Sequence, residues 1–280
     1  MGAAVAGRLA GLGHEVTVWN RNADKARATG LKVAPSPAAL ASSSDAIVSF
    51  LTDAAAVEQV YAQMLAGDVK GKLFIEMSTV RPFHSKSISM KIKSKGACFV
   101  ECPVGGTIGP AKEGKLFGFA GGEAADVERA LPILNQMCRR VEHVGPAGAG
   151  ASMKLAINLP LLVYWQALGE ALSLIKHLNL KPERVMDILA DTSGAPTMLK
   201  NRAATIAGGL AGKEPAAVTV DVATMRKDLS EMVEEARALG GSAPLTERAL
   251  ECFAHAVKTG MGAKDISMLP VSWSSKPQKL

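Results

Sequence analysis

Aromatic residues are scarce: Phe, Trp and Tyr together make up 4% of the 280 residues. That argues against a surface built to stack nucleic-acid bases. Charge of one sign is scarce too. Lys and Arg number 32 against 26 Asp and Glu, a net +6 at pH 7, and the excess is scattered rather than gathered in a tail. Such a surplus suits a small anionic substrate or a phosphorylated cofactor better than a nucleic acid. Only four cysteines occur, Cys98, Cys102, Cys138 and Cys252. They lack the paired spacing of metal ligands and read as reduced thiols packed as small apolar residues, with no metal site. No unbroken run approaches the roughly 18 apolar residues of a membrane span. The best candidate, 155–175, is interrupted by Asn158, Pro160, Gln166, Gly169 and Glu170. No secretory signal is visible, and Ala6 stands where a myristoylation motif needs Ser or Thr. The expectation is a cytoplasmic protein without nucleic-acid or membrane partners.

What is present is ordinary globular composition, 48% apolar and 21% charged. It excludes disordered, collagen-like and coiled-coil classes. The first half alternates. A small-residue helical pattern over 2–12 precedes a short strand at 15–19. A helix beginning near Ala23 is followed by Lys32-Val33-Ala34, and further strands are expected at 45–50, 72–77, 97–101, 116–120 and 140–144, with helical patterns between most of them. Alternation of this kind means βαβ units and a mostly parallel sheet. Gly145-Pro146-Ala147-Gly148-Ala149-Gly150 is the strongest breaker cluster in the chain. Beyond it strand signals stop, and helices are expected to about residue 178 and near 183–191, 196–207, 219–238 and 246–258. The expected division is 1–148, an α/β domain, and 149–280, all helical, with a loose tail from Ser272.

Three features carry chemistry. The opening looks like a nucleotide-binding βαβ unit whose first strand is absent; in such units a glycine turn feeds a helix N-terminus that holds a pyrophosphate. Gly2 fits the last glycine of that turn, and roughly 8–12 residues ahead of Met1 are expected to be missing. The second feature is Asn20-Arg21-Asn22 at the next strand's end. An acidic residue there would select NAD; Arg21 instead can pair with a 2′-phosphate, which favours NADP. The third is Lys154 and Asn158, four apart on one face of an apolar helix. A lysine so placed needs a partner if buried, and it could give a proton to a carbonyl oxygen as hydride reaches the carbon.

With these residues in view, the chain resembles the β-hydroxyacid dehydrogenase family, which includes 3-hydroxyisobutyrate dehydrogenase and 2-hydroxy-3-oxopropionate reductase, over essentially its whole length. Met1-Gly2 match the end of that family's glycine turn, and Met77-Ser78-Thr79 its strand end. Glu101-Cys102-Pro103-Val104-Gly105-Gly106-Thr107, with Gly114-Lys115-Leu116, resembles its substrate loop. Gly148, Gly150, Lys154 and Asn158 match its catalytic motif at the same spacing, and Lys227-Asp228-Leu229 a later helix.

The resemblance implies a Rossmann-type domain followed by a helical domain. It implies NADP as cofactor, with NAD as the second option, and a short 3-hydroxy acid or its semialdehyde as substrate. Lys154 would be the proton donor or acceptor and Asn158 would position the substrate. Backbone N–H groups at Gly105 and Gly106 would hold its carboxylate. Met1, Gly2, Asn20, Arg21, Leu51, Thr52, Thr79 and Lys227 would meet the cofactor. Gly105 replaces the family serine, so Thr107, in place of a glycine, is expected to supply the hydroxyl. Imine-reducing relatives usually carry Asp or Tyr in place of the lysine, so Lys154 points to carbonyl chemistry. The apolar long helix suggests a homodimer or homotetramer. The competing expectation is a non-catalytic dinucleotide-binding sensor or scaffold.

Overall fold

The computed structural model describes residues 1–275. They form two compact units, one Met1–Ala156 and the other beginning at Ile157.

In the first unit the order is α1 (Gly2–Gly11), β1 (Thr17–Val18), α2 (Ala23–Arg27), β2 (Lys32–Val33), α3 (Pro37–Ser42), β3 (Ala46–Ser49), α4 (Ala54–Met64), β4 (Leu73–Glu76), α5 (Pro82–Ser94), β5 (Cys98–Glu101), β6 (Val104–Gly105), α6 (Ile108–Glu113), β7 (Leu116–Gly122), α7 (Ala124–Met137) and β8 (Cys138–Gly145). Side chains start several of these helices. Asn22, Ser36 and Asp53 each accept from backbone N–H groups of the first turn, satisfying donors that the helix cannot. Pro37 and Pro82 stand in first turns, where a missing N–H costs nothing.

β3, β4 and β5 are parallel and in register, so that Ser49, Glu76 and Glu101 align at their C-terminal ends. Every residue of β4 is buried, as expected for a strand covered on both faces. The period of two sorts the side chains. Leu73, Ile75 and Val100 join Val5, Leu9 and Leu134 on one face. Ile47, Phe74 and Phe99 join Val57, Tyr61, Ile88 and Ile92 on the other. Each such side chain contributes about 1.5–3 kcal/mol by leaving water.

Beyond β5 the sheet turns antiparallel through β7 and β6, and β8 runs parallel to β7. β1 and β2 form a separate parallel pair that is not hydrogen-bonded to β3. The α/β class with a mostly parallel sheet is therefore as expected from sequence. Two features differ. β6 and α6 lie in a stretch that reads as turns, because a two-residue strand and a Gly-Pro-containing helix carry no periodic signal. β7 also runs through Gly121 and Gly122 instead of stopping before them, pairing them with Glu101 and Val100.

The long helix α8 (Ala149–Ile175) continues into a 3₁₀ turn at Lys176–Leu178. By length and composition it could cross a membrane, although no unbroken apolar run is that long. The helices α9 (Pro182–Ala190), α10 (Thr197–Leu210), α11 (Val222–Ala238), α12 (Pro244–Ala256) and α13 (Met268–Ser275) follow. α13 corrects the expectation of a loose tail for Ser272–Ser275; the rest of that tail lies outside the described residues. Trp273 of α13 packs where Gly169 offers no side chain: a Cβ at 169 would lie 2.7 Å from Trp273 Cδ1. Asp265 ties this unit together from a buried position, accepting at 2.8 Å from both the N–H and the hydroxyl of Thr219 and at 2.9 Å from the N–H of Ser267.

Candidate active site

In open α/β sheets, ligands bind outside the carboxyl ends of the strands. Here those ends carry a buried polar row. Ser49 donates to Glu76 Oε2 at 2.5 Å and shares a 2.7 Å hydrogen bond with the Tyr61 hydroxyl. The Ser78 N–H donates to Glu76 Oε1 at 2.6 Å. Burial pushes the Glu76 carboxyl above its ordinary range despite these donors, and burial beside Glu76 pushes the Tyr61 phenol up as well. The row holds the loops that follow: the Leu51 N–H donates to Ser78 Oγ at 2.7 Å. Sequence reasoning missed this cluster. Its only signal is an acid closing the apolar strand Leu73-Phe74-Ile75-Glu76.

Glu101, the next member of the row, anchors the start of α8. Its Oε1 accepts from the N–H groups of Gly148 at 2.7 Å, Gly150 at 2.8 Å and Ala151 at 3.3 Å. A helix N-terminus favours such an anion. Burial nonetheless holds the carboxyl above its ordinary range, against the pull of the Ser85 hydroxyl and these N–H groups. The close approach explains the glycines around it. A Cβ at Gly121 would fall 2.4 Å from Glu101 Oε1, and one at Gly150 would fall 2.3 Å from the Phe119 carbonyl oxygen. Gly148 has φ +96°, a conformation that side chains resist.

From this anchored start α8 carries Lys154 and Asn158 one turn apart. Both are buried, 9% and 8% exposed, while their apolar neighbours Met153 and Ile157 are 39% and 37% exposed. The polar pair therefore occupies the helix's buried stripe with Ala151, Leu155, Leu162 and Trp165. Lys154 belongs to the first unit and Asn158 to the second.

Other expected site residues fall as follows. Gly105 closes β6; Gly106 is exposed with φ +125°, and a Cβ there would lie 2.8 Å from Leu116 Cδ2. Thr107 is the exposed N-cap of α6 and makes no side-chain capping bond. Met1 caps α1, and Gly2 in its first turn lies beside Phe50, which follows β3. Leu51 and the exposed Thr52 begin the next loop, where Thr52 donates to Asp53 at 3.0 Å. Thr79 follows Ser78 after β4 and is half-buried. Asn20 and Arg21 are exposed after β1, and Asn20 accepts from the Asn22 N–H at 2.9 Å. Lys227 lies on α11 in the second unit, 2.7 Å from Asp228 Oδ1.

The donor set in the first unit suits a dinucleotide. It offers a helix N-terminus at Met1-Gly2 beside a strand end, an exposed guanidinium at Arg21 after β1, and hydroxyls at Thr52 and Thr79. Among the described residues no cluster of three or more His, Cys, Asp or Glu could hold a metal ion.

Comparison with known proteins agrees. Residues 1–145 match the family model for the NAD binding domain of 6-phosphogluconate dehydrogenase. Residues 148–271 match that for the NAD-binding of NADP-dependent 3-hydroxyisobutyrate dehydrogenase. Glyoxylate/succinic semialdehyde reductase 1 of Arabidopsis thaliana is 31% identical, over 95% of this chain and 93% of that protein. Mitochondrial 3-hydroxyisobutyrate dehydrogenase of Drosophila melanogaster is 28% identical, over 96% of this chain and 85% of that protein. Mycobacterium tuberculosis 3-hydroxyisobutyrate dehydrogenase, solved with L-serine, superimposes with a TM-score of 0.82 at 27% identity, covering 97% of this chain and 95% of its own. The motifs, the fold and these likenesses agree along the length of the sequence, and the chain belongs to the β-hydroxyacid dehydrogenase family of NAD(P)-dependent oxidoreductases.

Proposed function

We propose that this chain interconverts a short 3-hydroxy acid and its semialdehyde, with NADP preferred over NAD. When bound, the nicotinamide supplies the hydride in reduction and takes it up in oxidation. Lys154 gives a proton to the substrate oxygen in reduction and removes it in oxidation. Asn158 fixes the substrate beside Lys154. N–H groups at Gly105 and Gly106 bind the substrate carboxylate, and binding of that kind orients the carbon toward the hydride. Thr107 supplies the hydroxyl that Gly105 lacks, which favours an acid larger than, or turned from, 3-hydroxyisobutyrate. Met1 and Gly2 serve the pyrophosphate, Asn20 and Arg21 the adenosine ribose and its 2′-phosphate. Leu51, Thr52 and Thr79 line the cofactor groove. Lys227 acts at the reacting end of the cofactor by resemblance alone. A cytoplasmic homodimer or homotetramer, without nucleic-acid or membrane partners, completes the reading. A non-catalytic scaffold is not favoured.

One observation carries this proposal: Lys154 lies on the buried stripe of its helix while the apolar Met153 and Ile157 beside it are exposed. A panel of 3-hydroxy acids and semialdehydes, with glyoxylate and succinic semialdehyde included, tests it by NADPH absorbance. Lys154→Ala is expected to lower kcat by about 10²–10⁴ and to leave NADPH affinity unchanged. An unchanged kcat overturns the role of Lys154; no turnover of any panel member by the parent chain overturns the substrate class.

A further inference from the structure

Glu76 is a buried acid with no part in the proton transfer assigned to Lys154. It is 1% exposed and sits among Ser49, Tyr61 and Ser78, none of them more than 5% exposed. The groups that reach its carboxyl are donors. Ser49 gives its one hydroxyl proton to Oε2, so the Tyr61 hydroxyl donates in turn to Ser49. The Ser78 N–H donates to Oε1, and the Ser78 hydroxyl pulls on the carboxyl as well. That same hydroxyl accepts from the Leu51 N–H. One directed chain thus runs from Leu51 through Ser78 to Glu76, and a second from Tyr61 through Ser49 to the same acid. Hydrogen bonds in series, away from water, reinforce one another.

The two chains meet where the pairing of β3 with β4 ends. The ladder closes at Ser49 and Glu76, and the Met77 N–H adds a last rung to the Ser49 carbonyl at 2.9 Å. The next tie is Leu51 N–H to Ser78 Oγ, where a side-chain oxygen takes the place of a backbone carbonyl. The first loop is also held at its far end, because Asp53 caps α4 by accepting from the Ala56 N–H at 2.8 Å. Only Phe50, Leu51 and Thr52 lie between strand and cap, so fixing Leu51 fixes Thr52 beside it. Ser78 is held through both its N–H and its hydroxyl, which fixes Thr79 beside it.

We propose that Glu76 is a positioning residue for the dinucleotide: without touching it, Glu76 orients Ser49 and Ser78, and through them sets the spacing of the loops that carry Leu51, Thr52 and Thr79. The inference rests on the reading of those three residues as the wall of the cofactor groove. An ionised carboxylate accepts at both oxygens. Glutamine has the same shape but must turn its amide nitrogen toward either Ser78 or Ser49. Toward Ser78 two donors collide; toward Ser49 the serine proton swings to Tyr61, and the phenol loses its acceptor. Ser78→Ala removes the tie to Leu51 outright. Arg21 is the residue assigned to the 2′-phosphate, so loosening these loops weakens NADPH and NADH alike.

The test compares the whole chain with Glu76→Gln, Ser78→Ala, Ser78→Thr and Leu134→Ala. Hydrogen exchange is read first, without cofactor. Segments 50–53 and 77–81 are expected to exchange about tenfold faster in Glu76→Gln and Ser78→Ala, with β5 unchanged. Dissociation constants are then titrated by fluorescence at a temperature where each variant is folded. Those of NADPH and NADH are expected to rise together, by about fivefold or more, in the same two variants. Ser78→Thr keeps the hydroxyl and is expected to match the parent in both readouts. Leu134→Ala opens a cavity in the buried core and is expected to lower the melting temperature while leaving both constants unchanged. That contrast separates positioning from a general weakening of the fold. Unchanged loop exchange overturns the role of Glu76, and so does faster exchange with unchanged Kd, a loss confined to NADPH, or an equal loss in Leu134→Ala. NADPH added to the parent is expected to slow exchange in both segments; without that slowing the groove reading fails, and the proposal with it. Neither readout needs turnover, so a substrate panel that fails strikes the substrate class and leaves Glu76 in its role.

Discussion

The N–H of Gly150 donates to Glu101 Oε1 at 2.8 Å, and only a glycine at 150 permits that approach, since a Cβ would fall 2.3 Å from the Phe119 carbonyl oxygen. Motif glycine and buried acid are one device: the acid fixes where α8 begins, and so where Lys154 sits. Gly150→Ala should therefore destabilise the chain by about 1–3 kcal/mol, the usual cost of overpacking. Gly7 offers the contrast. It lies inside α1, and a Cβ added there would meet nothing within 4 Å, so Gly7→Ala should stabilise by about 0.5–1 kcal/mol. Urea unfolding of the two variants should shift in opposite directions.

Arg21 follows β1 on the surface, and no carboxylate pairs with it among the described residues. A charge-assisted contact to a 2′-phosphate contributes about 1.5–3 kcal/mol. Arg21→Ala should raise the Kd of NADPH by about ten- to a hundredfold and change that of NADH little. Titration by protein fluorescence checks it; equal losses for both cofactors would remove Arg21 from the site.

Glu76 titrates above its ordinary value of 4.5 because it is buried. The folded state thus holds its proton more tightly than the unfolded chain. That contribution is fully present below the ordinary value and is lost as pH rises through the folded value. The parent should lose stability from about pH 4.5 upward relative to Glu76→Gln, which has no proton to lose. Thermal unfolding between pH 4 and pH 8 measures the gap, and parallel curves would contradict the assignment.

Asp265 behaves oppositely. Burial pushes its pKa up, but the donors from Thr219 and Ser267 outweigh burial and hold it below its ordinary value of 3.8. Its stabilisation is present above that value and is lost as pH falls through the lower folded one. Asp265→Asn should be clearly less stable than the parent at pH 7, and the difference should shrink toward pH 3. Urea midpoints at the two pH values decide.

The alternation of Val- and Ile-rich runs with helical periods makes the α/β half legible in the sequence, and the end of strand signals at Gly145–Gly150 marks where helices take over. Val104-Gly105 and Ile108–Glu113 were not legible, since neither is long enough to show a period. Gly121 and Gly122 read as a stop because glycine usually ends strands; here they are kept small by Glu101 and the backbone packed against them. The spacing of Lys154 and Asn158 places them on one face, and the apolar residues around them point that face toward a cleft; that Met153 and Ile157 are the exposed residues comes only from packing. The Ser49–Glu76–Tyr61 cluster joins three elements distant in sequence, and no local pattern announces such a meeting.

Trp273 in the notch at Gly169 has a spectroscopic consequence. Trp165 and Trp273 both belong to the second unit, while Trp19 stands alone in the first. Trp19→Phe would leave indole emission reporting on the helical half only. Circular dichroism would still report on both halves. Superimposable melting curves from the two signals would mean that the halves unfold as a single cooperative body, and separated curves would give each half its own transition.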